Sequence, residues 1–406
     1  MENHRKTDFE LLFLQTVGIL VVINLHFNAI NTTLNSFFTY TGWVMPFFFF
    51  LSGNLFARTY RKRSLKDYFL HKSKTLLLSA LFVHLCYGII VSVLKHYQFI
   101  EYGKDLSFYT LFVSPFGLND VFGLDVSLWF IFQLYILEMI ANVLYRIPCK
   151  KMVLFDLSVT AAAIVISVYC QSISENTEIW QTNALPLVRT GFMFFFFAAG
   201  VDYERYGRER LSRMTYPLIC ALSASGCYLL IMIPTGWMAG YHAMAMDFVH
   251  FSEVSHRSVP YLTFLSVSVC LVSLAKFLSP LLQKSRMLSF IGPNIRYVVY
   301  HHMFCGALPG LIAMMITVSR KNNQYTAWNF GGVRSHANYV LPVIPGGFGR
   351  IIILVMAFFL PIILGKTINQ NKNAFVRFCL WCILTFMIAA IFAVFGTIYK
   401  SSLQNL

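Results

Sequence analysis

Residues 9–30 read FELLFLQTVGILVVINLHFNAI, and residues 36–57 read SFFTYTGWVMPFFFFLSGNLFA. Each is long enough, at roughly 20 mainly apolar residues, to cross the hydrocarbon layer of a bilayer as one helix. Inside the first run lie a glutamine, Gln15, and a histidine, His26; the second runs straight into a basic stretch that opens at Arg58. An ionisable side chain is expensive at membrane depth and tends to be kept where it works, so His26 is a functional candidate from the start.

Nine more runs of this kind follow, at 75–94, 127–147, 153–170, 185–201, 216–233, 258–278, 290–318, 350–365 and 378–398. With 57% hydrophobic and 12% charged residues among 406, the chain has the composition of a membrane protein, which excludes a soluble domain. The prediction is an all-α, polytopic integral membrane bundle of ten or eleven transmembrane helices, a single domain over residues 1–406. The first run is closely followed by a second and lacks a small-residue cleavage pattern, so it is expected to be retained.

Charge sets the orientation. With a cytoplasmic N-terminus, the inner segments 1–8, 58–74, 146–151, 202–214, 276–286 and 366–377 hold 22 lysines and arginines, and the outer segments hold 8. This positive-inside bias predicts a multi-pass protein of a cell inner or plasma membrane with its N-terminus in the cytoplasm. The formal net charge of +15 mostly restates that bias. No nucleic-acid motif accompanies it, so no nucleic-acid partner is expected.

Eight of the nine cysteines fall inside apolar runs, where they read as small packing residues. Cys379-x-x-Cys382 has redox spacing but sits in an apolar helix without a βαβ context. His242, His250 and His256 share one connection without the cysteine or carboxylate spacing that zinc favours, so no metal is expected. The outer segments 95–126, 234–257 and 319–349 carry Tyr, Trp, His, Asn and Gly. Such residues can stack on a sugar face and bond its hydroxyls, and they also form the aromatic belt of any membrane protein; both readings stand.

Gln15 and His26 are eleven residues apart, about three turns and ~16 Å, so they fall on one helical face. That face either lines a passage with polar groups at both ends or bonds a neighbouring helix. Glu138, Arg189 and Arg296 also lie within apolar runs, where an unpaired charge is costly. A structural ion pair of Glu138 with Arg189 or Arg296 is the favoured reading.

His26 closing the first run, Pro46 to Gly53, Ser127-Leu128-Trp129-Phe130 opening the fourth run, and Gly292 followed ten residues later by His302 together resemble the membrane-bound acyltransferase-3 family. The family stretches read approximately Arg-x10-His, P-x-F-F-x-x-S-G, L-W-F and G-x-x-S-x-x-x-Y-x-x-H. The likeness covers most of the chain in order and hydropathy. This sequence departs from the pattern at Gln15, where the family has arginine, and at Leu12, where it has an acidic residue. A basic pair after the second run is reduced to Lys72 with Thr75, and the ninth-run serine and tyrosine are replaced by Ile295 and a displaced Tyr300.

The resemblance implies an enzyme that moves an acyl group, most often acetyl, from cytoplasmic acyl-CoA to a hydroxyl of a glycan or lipid-linked sugar on the outer side. Acetyl-CoA would be the donor and co-substrate, and polysaccharide synthesis or export machinery would be a partner. Neutral imidazole suits such chemistry, because it can take the proton of a poorly nucleophilic hydroxyl as that hydroxyl attacks a thioester. The implied catalytic residues are His26 and, second, His302. The CoA phosphates would favour the basic loop 58–74, with Lys72 and Lys74 nearest the following run, although topology alone also explains a basic loop. Ser52, beside Gly53, reads either as space for the pantetheine arm or as helix packing, and Trp129 completes the cofactor-binding candidates. A transporter or flippase that exports a glycan without covalent change is the alternative, as is a non-catalytic relative.

Overall fold

The computed structural model describes residues 8–27, 43–97, 104–117, 122, 124–125, 128–174, 185–209, 216–232, 259–319, 333–334, 340–341, 347–371 and 373–404. Each of the eleven apolar runs contains a helix. In chain order these are α1 (Phe9–Phe27), α2 (Val44–Thr59), α3 (Leu65–Lys72), α4 (Leu78–His96), the short α5 (Ser114–Gly117), α6 (Leu128–Leu144) and α7 (Met152–Ser174). Then come α8 (Leu185–Asp202), α9 (Tyr216–Met232), α10 (Val259–Leu282), the short α11 (Arg286–Ile291), α12 (Ile295–Ser319), α13 (Gly347–Asn369) and α14 (Ala374–Gln404). A minimal antiparallel ladder, β1 (Val333–Arg334) with β2 (Val340–Leu341), pairs Val333 with Leu341.

Helices dominate because lipid offers no partner for backbone polar groups, which must be satisfied within each segment. Among the described residues five helical segments are long and apolar enough to cross a membrane: Leu65–His96, Met152–Ile173, Phe264–Leu282, Gly349–Ile368 and Ala374–Ile398. Shorter apolar helices lie at Phe9–Asn24, Leu128–Leu144 and Tyr216–Gly226. The first of the five begins ten residues before the run expected at 75–94. Residues 65–77 contain neither proline nor glycine, so α3 continues through a π-turn at Ser73–Leu77 into α4. Tyr68 faces inward while Leu65, Lys66, Phe69 and Leu70 stay exposed.

The chain divides into two compact units. The first comprises Met1–Val21, Thr32–Leu70 and Ile136–Ile295. Its centre is the packing of α2 on α8, made possible by two glycines. A Cβ on Gly53 would collide with the Phe197 carbonyl, and one on Gly200 with the Phe50 carbonyl, so the two backbones touch at reciprocal points. The phenylalanine runs of both helices meet around these contacts: Phe56 lies 5.4 Å from Phe197, and Phe264 of α10 packs edge-on against Phe50 and Phe196. At the start of α1, the Asp8 carboxylate caps the helix by accepting from the Leu11 amide at 3.0 Å.

The second unit comprises Val22–Asn31, His71–Tyr135 and Arg296–Leu406. Here a Cβ on Gly306 of α12 would collide with the buried Phe27 ring at the end of α1, and one on Gly365 of α13 with Tyr297. On α4, Gly88 leaves room for Leu106 and for Phe122, whose ring a Cβ would meet at 2.8 Å. The eight cysteines whose side chains are described are free, and seven of them lie in apolar helices.

Candidate functional site

In the second unit, the last turn of α1 and the second turn of α12 bring His26 and His302 together. Their ring centroids are 5.4 Å apart with planes inclined at 39°. Small Gly306, one turn beyond His302, lets Phe27 and therefore the end of α1 approach this closely. His302 is wholly buried, and its Nδ1–H donates to the Val298 carbonyl one turn earlier at 2.8 Å. That bond fixes the tautomer and leaves Nε2 as the lone-pair nitrogen. This buried Nε2 has no hydrogen-bond partner among the described residues. His26 is half-buried and so the more accessible of the two rings.

The neighbouring His301 points elsewhere, because consecutive helical residues are separated by about 100°. Its Nδ1 shares a hydrogen bond of 2.8 Å with the Tyr87 hydroxyl of α4, and its ring stacks on Trp381 of α14 at 4.9 Å. One turn before Tyr87, His84 pairs through Nδ1 with the Asp125 carboxylate, and its Nε2 donates to the Thr110 carbonyl at 2.8 Å. His84 and Asp125 are each 3% exposed. Both ring nitrogens face an acceptor, and this buried pair ties Thr110 and Asp125 to α4.

The first unit carries a different constellation. Arg58 at the end of α2 pairs with Asp8 and, at 2.9 Å, with Glu204 beyond α8. Arg208 reaches Asp8 at 2.7 Å and Glu204 at 3.2 Å, and Lys276 of α10 reaches Glu10 at 3.2 Å. Asn54 donates to Glu204 at 2.9 Å. Asp8, Glu10, Asn54, Arg58 and Arg208 border a cleft with Leu11, Leu14, Phe50 and Tyr203. Three acids meet three bases, so the network is close to neutral and its charges are consumed internally. Burial raises the Glu204 carboxyl above its ordinary value, with Arg58 pulling it back. Burial likewise pushes Asp202 up to about 6, offset in part by the Thr160 hydroxyl, which donates to it at 2.6 Å.

The other predicted residues are placed as follows. Lys72 is half-buried at the end of α3, and Lys74 is exposed in the π-turn. Arg58 of the basic loop is spent on Asp8 and Glu204, and Arg146 braces the Tyr60 and Arg63 carbonyls. The Ser52 hydroxyl turns back to the Phe48 carbonyl at 2.8 Å, and the space beside Gly53 is filled by Phe197, a geometry of packing. Trp129 is half-buried, edge-on to Phe130 at 6.4 Å. Arg296 is exposed and donates to the Tyr297 hydroxyl at 3.0 Å. Glu138 is buried and accepts from the Tyr68 hydroxyl at 3.0 Å. Ser127 and the histidines at 242, 250 and 256 lie outside the described residues. No cluster of three metal-ligating side chains occurs among the described residues.

Sequence reasoning missed His84, Tyr87, Asp125 and Trp381. The argument applied to His26, a titratable ring in an apolar run, flags His84 equally; nothing local marks Tyr87 or Trp381, whose partners are distant in sequence.

The chain is thus a helical, multi-pass membrane protein whose fold brings two histidines side by side. A family model described as an acyltransferase domain, that of acyltransferase-3, matches residues 10–305, and the chain belongs to this family. Both histidines fall within the match, whereas Trp381 lies beyond it. No curated protein and no solved structure matches the chain.

Proposed function

We propose that this acyltransferase is an O-acetyltransferase of ten or eleven transmembrane helices, its N-terminus in the cytoplasm of a cell inner or plasma membrane. It takes acetyl from cytoplasmic acetyl-CoA and delivers it to a hydroxyl of an extracytoplasmic glycan or lipid-linked sugar. The observation that carries the reading is the His26–His302 pair at 5.4 Å. His26, the accessible ring, takes the proton of the acceptor hydroxyl as its oxygen attacks the thioester carbonyl. The C–O bond forms, the C–S bond breaks, and the proton returns to the leaving sulfur to give the free CoA thiol. His302, held against His26 with its tautomer fixed by Val298, keeps that ring in place and limits the pair to one proton, because two imidazolium rings this close repel.

Lys72 and Lys74 supply charge to the CoA phosphates in this reading, with Trp129 and Ser52 as weaker donor candidates. The test is the acetyl content of the surface glycan, read by NMR in cells with wild type, His26→Ala or no protein at matched membrane levels. Acetyl signals present only with wild type are expected. An unmodified glycan in all three, with its export depending on the protein, would replace this reading with a transporter.

A further inference from the structure

We infer that Tyr87, His301 and Trp381 form a positioning cluster that sets the rotation of α12 about its own axis, so that His302 faces His26. The inference rests on the functional reading above only for its kinetic consequence; the geometry stands by itself. His301 and His302 are consecutive, so whatever holds one ring fixes the direction of the other about 100° away. His301 is held twice, by the Tyr87 hydroxyl at 2.8 Å and by the Trp381 ring at 4.9 Å with planes 20° apart. Trp381 also stacks on Tyr297, one turn earlier on the same stripe of α12, at 6.2 Å. Three rings of α12 and α14 therefore run together along one face.

The hydroxyl that grips His301 is itself anchored. Tyr87 is 3% exposed, and three residues before it on α4 His84 is clamped between Asp125 and the Thr110 carbonyl. Gly88 adds close packing of Leu106 and Phe122 against the same helix. Rotation of α4 would break the buried His84 pair, so α4 serves as a fixed post for α12. The leverage is large. A ring roughly 6 Å from the helix axis moves about 1 Å for each 10° of rotation, and a misplacement of about 1 Å can cost ~10²-fold in rate. These contacts of the three run to one another and to Tyr297, so their role is to position and not to react.

Two readouts test this in membranes of cells expressing the full chain. The first is cross-linking of a His26→Cys/His302→Cys pair by a short reagent reactive toward two thiols, with the linked peptides identified by mass spectrometry. Adding Tyr87→Phe, which removes one oxygen, should lower the cross-link yield at least fivefold. His301→Asn, whose amide places a polar atom where Nδ1 sits, should keep the yield near that of the pair alone, and His301→Leu should lower it. The second readout is release of CoA thiol from added acetyl-CoA, with native His26 and His302. Tyr87→Phe and His301→Leu should lower kcat roughly tenfold with KM for acetyl-CoA changed less than twofold, and His301→Asn should restore most of the rate. An unchanged cross-link yield in Tyr87→Phe overturns the positioning role whatever the rate does. No CoA release even from wild type would sink the transfer reading, while a lost cross-link in Tyr87→Phe would still support the cluster.

Discussion

Two constellations, one in each unit, handle polar groups in an apolar protein in opposite ways. In the first, Asp8, Glu10 and Glu204 are matched by Arg58, Arg208 and Lys276, and every charge finds an opposite partner. In the second, His302 is buried with Nδ1 satisfied and Nε2 left without a partner among the described residues, directly beside a second imidazole. Neutralised charge is what structure requires; an acceptor nitrogen kept buried and open is what chemistry requires. On the function proposed above, the ion network serves stability and the histidine pair serves transfer.

The largest effect that should sharpen this contrast comes from crowding the pair without touching it. Gly306→Leu drives a side chain into the buried Phe27 ring, next to His26, and should lower CoA release at least ~10-fold while the protein still accumulates in the membrane; activity within twofold of wild type would show that the approach of α1 to α12 is not needed. Acidification comes next. If His26 must be neutral to accept a proton, turnover falls by about tenfold per pH unit once the medium drops below the pKa governing the pair. A flat rate from pH 5 to 7.5, with transfer shown to be the slow step, would remove His26 from that role.

Effects in the first unit should be of another kind. Arg58→Ala leaves Asp8 and Glu204 with Arg208 alone in a partly buried site, and at 22% exposure of the Arg58 side chain a loss of about 1–3 kcal/mol is expected. It should appear as a lower Tm in detergent, and Asp8→Ala in the same protein should cost less than the sum of the two changes. Strict additivity would mean that the ion pair contributes nothing. The smallest effect concerns Asp202. Its carboxyl titrates near 6 in the fold against 3.8 ordinarily, so between these values the folded protein holds the extra proton and stability declines as pH rises through the window. Asp202→Asn should therefore raise Tm by about 1–2 °C at pH 7.5 and leave it unchanged at pH 4; the reverse order would show that the carboxylate is stabilised and not strained.

Much of the helical order is written in the sequence because apolar length is a one-dimensional signal: the run at 153–170 became α7 and the run at 378–398 lies within α14. His26 and His302 could be proposed together because their motifs sit in family order, and the fold does bring the two rings side by side. The basic stretch 58–74 misled, since charge suggested a loop where exposed lysines on a helix satisfy the same composition. What stayed hidden depends on pairings across long separations. Tyr87 meets His301 over 214 residues, and Arg58 meets Glu204 over 146. No local pattern encodes either. Gly53 shows the intermediate case: its small size was legible, and its partner, the Phe197 carbonyl, was not.

The most direct measurement is the rate of CoA release from acetyl-CoA in membranes carrying wild type, His26→Ala or Arg58→Ala, each normalised to folded protein. The account expects His26→Ala to fall to the level of membranes without the protein and Arg58→Ala to stay within about threefold of wild type. Full activity in His26→Ala, or a loss in Arg58→Ala as deep as that expected for His26→Ala, would contradict the assignment of chemistry to the histidine pair.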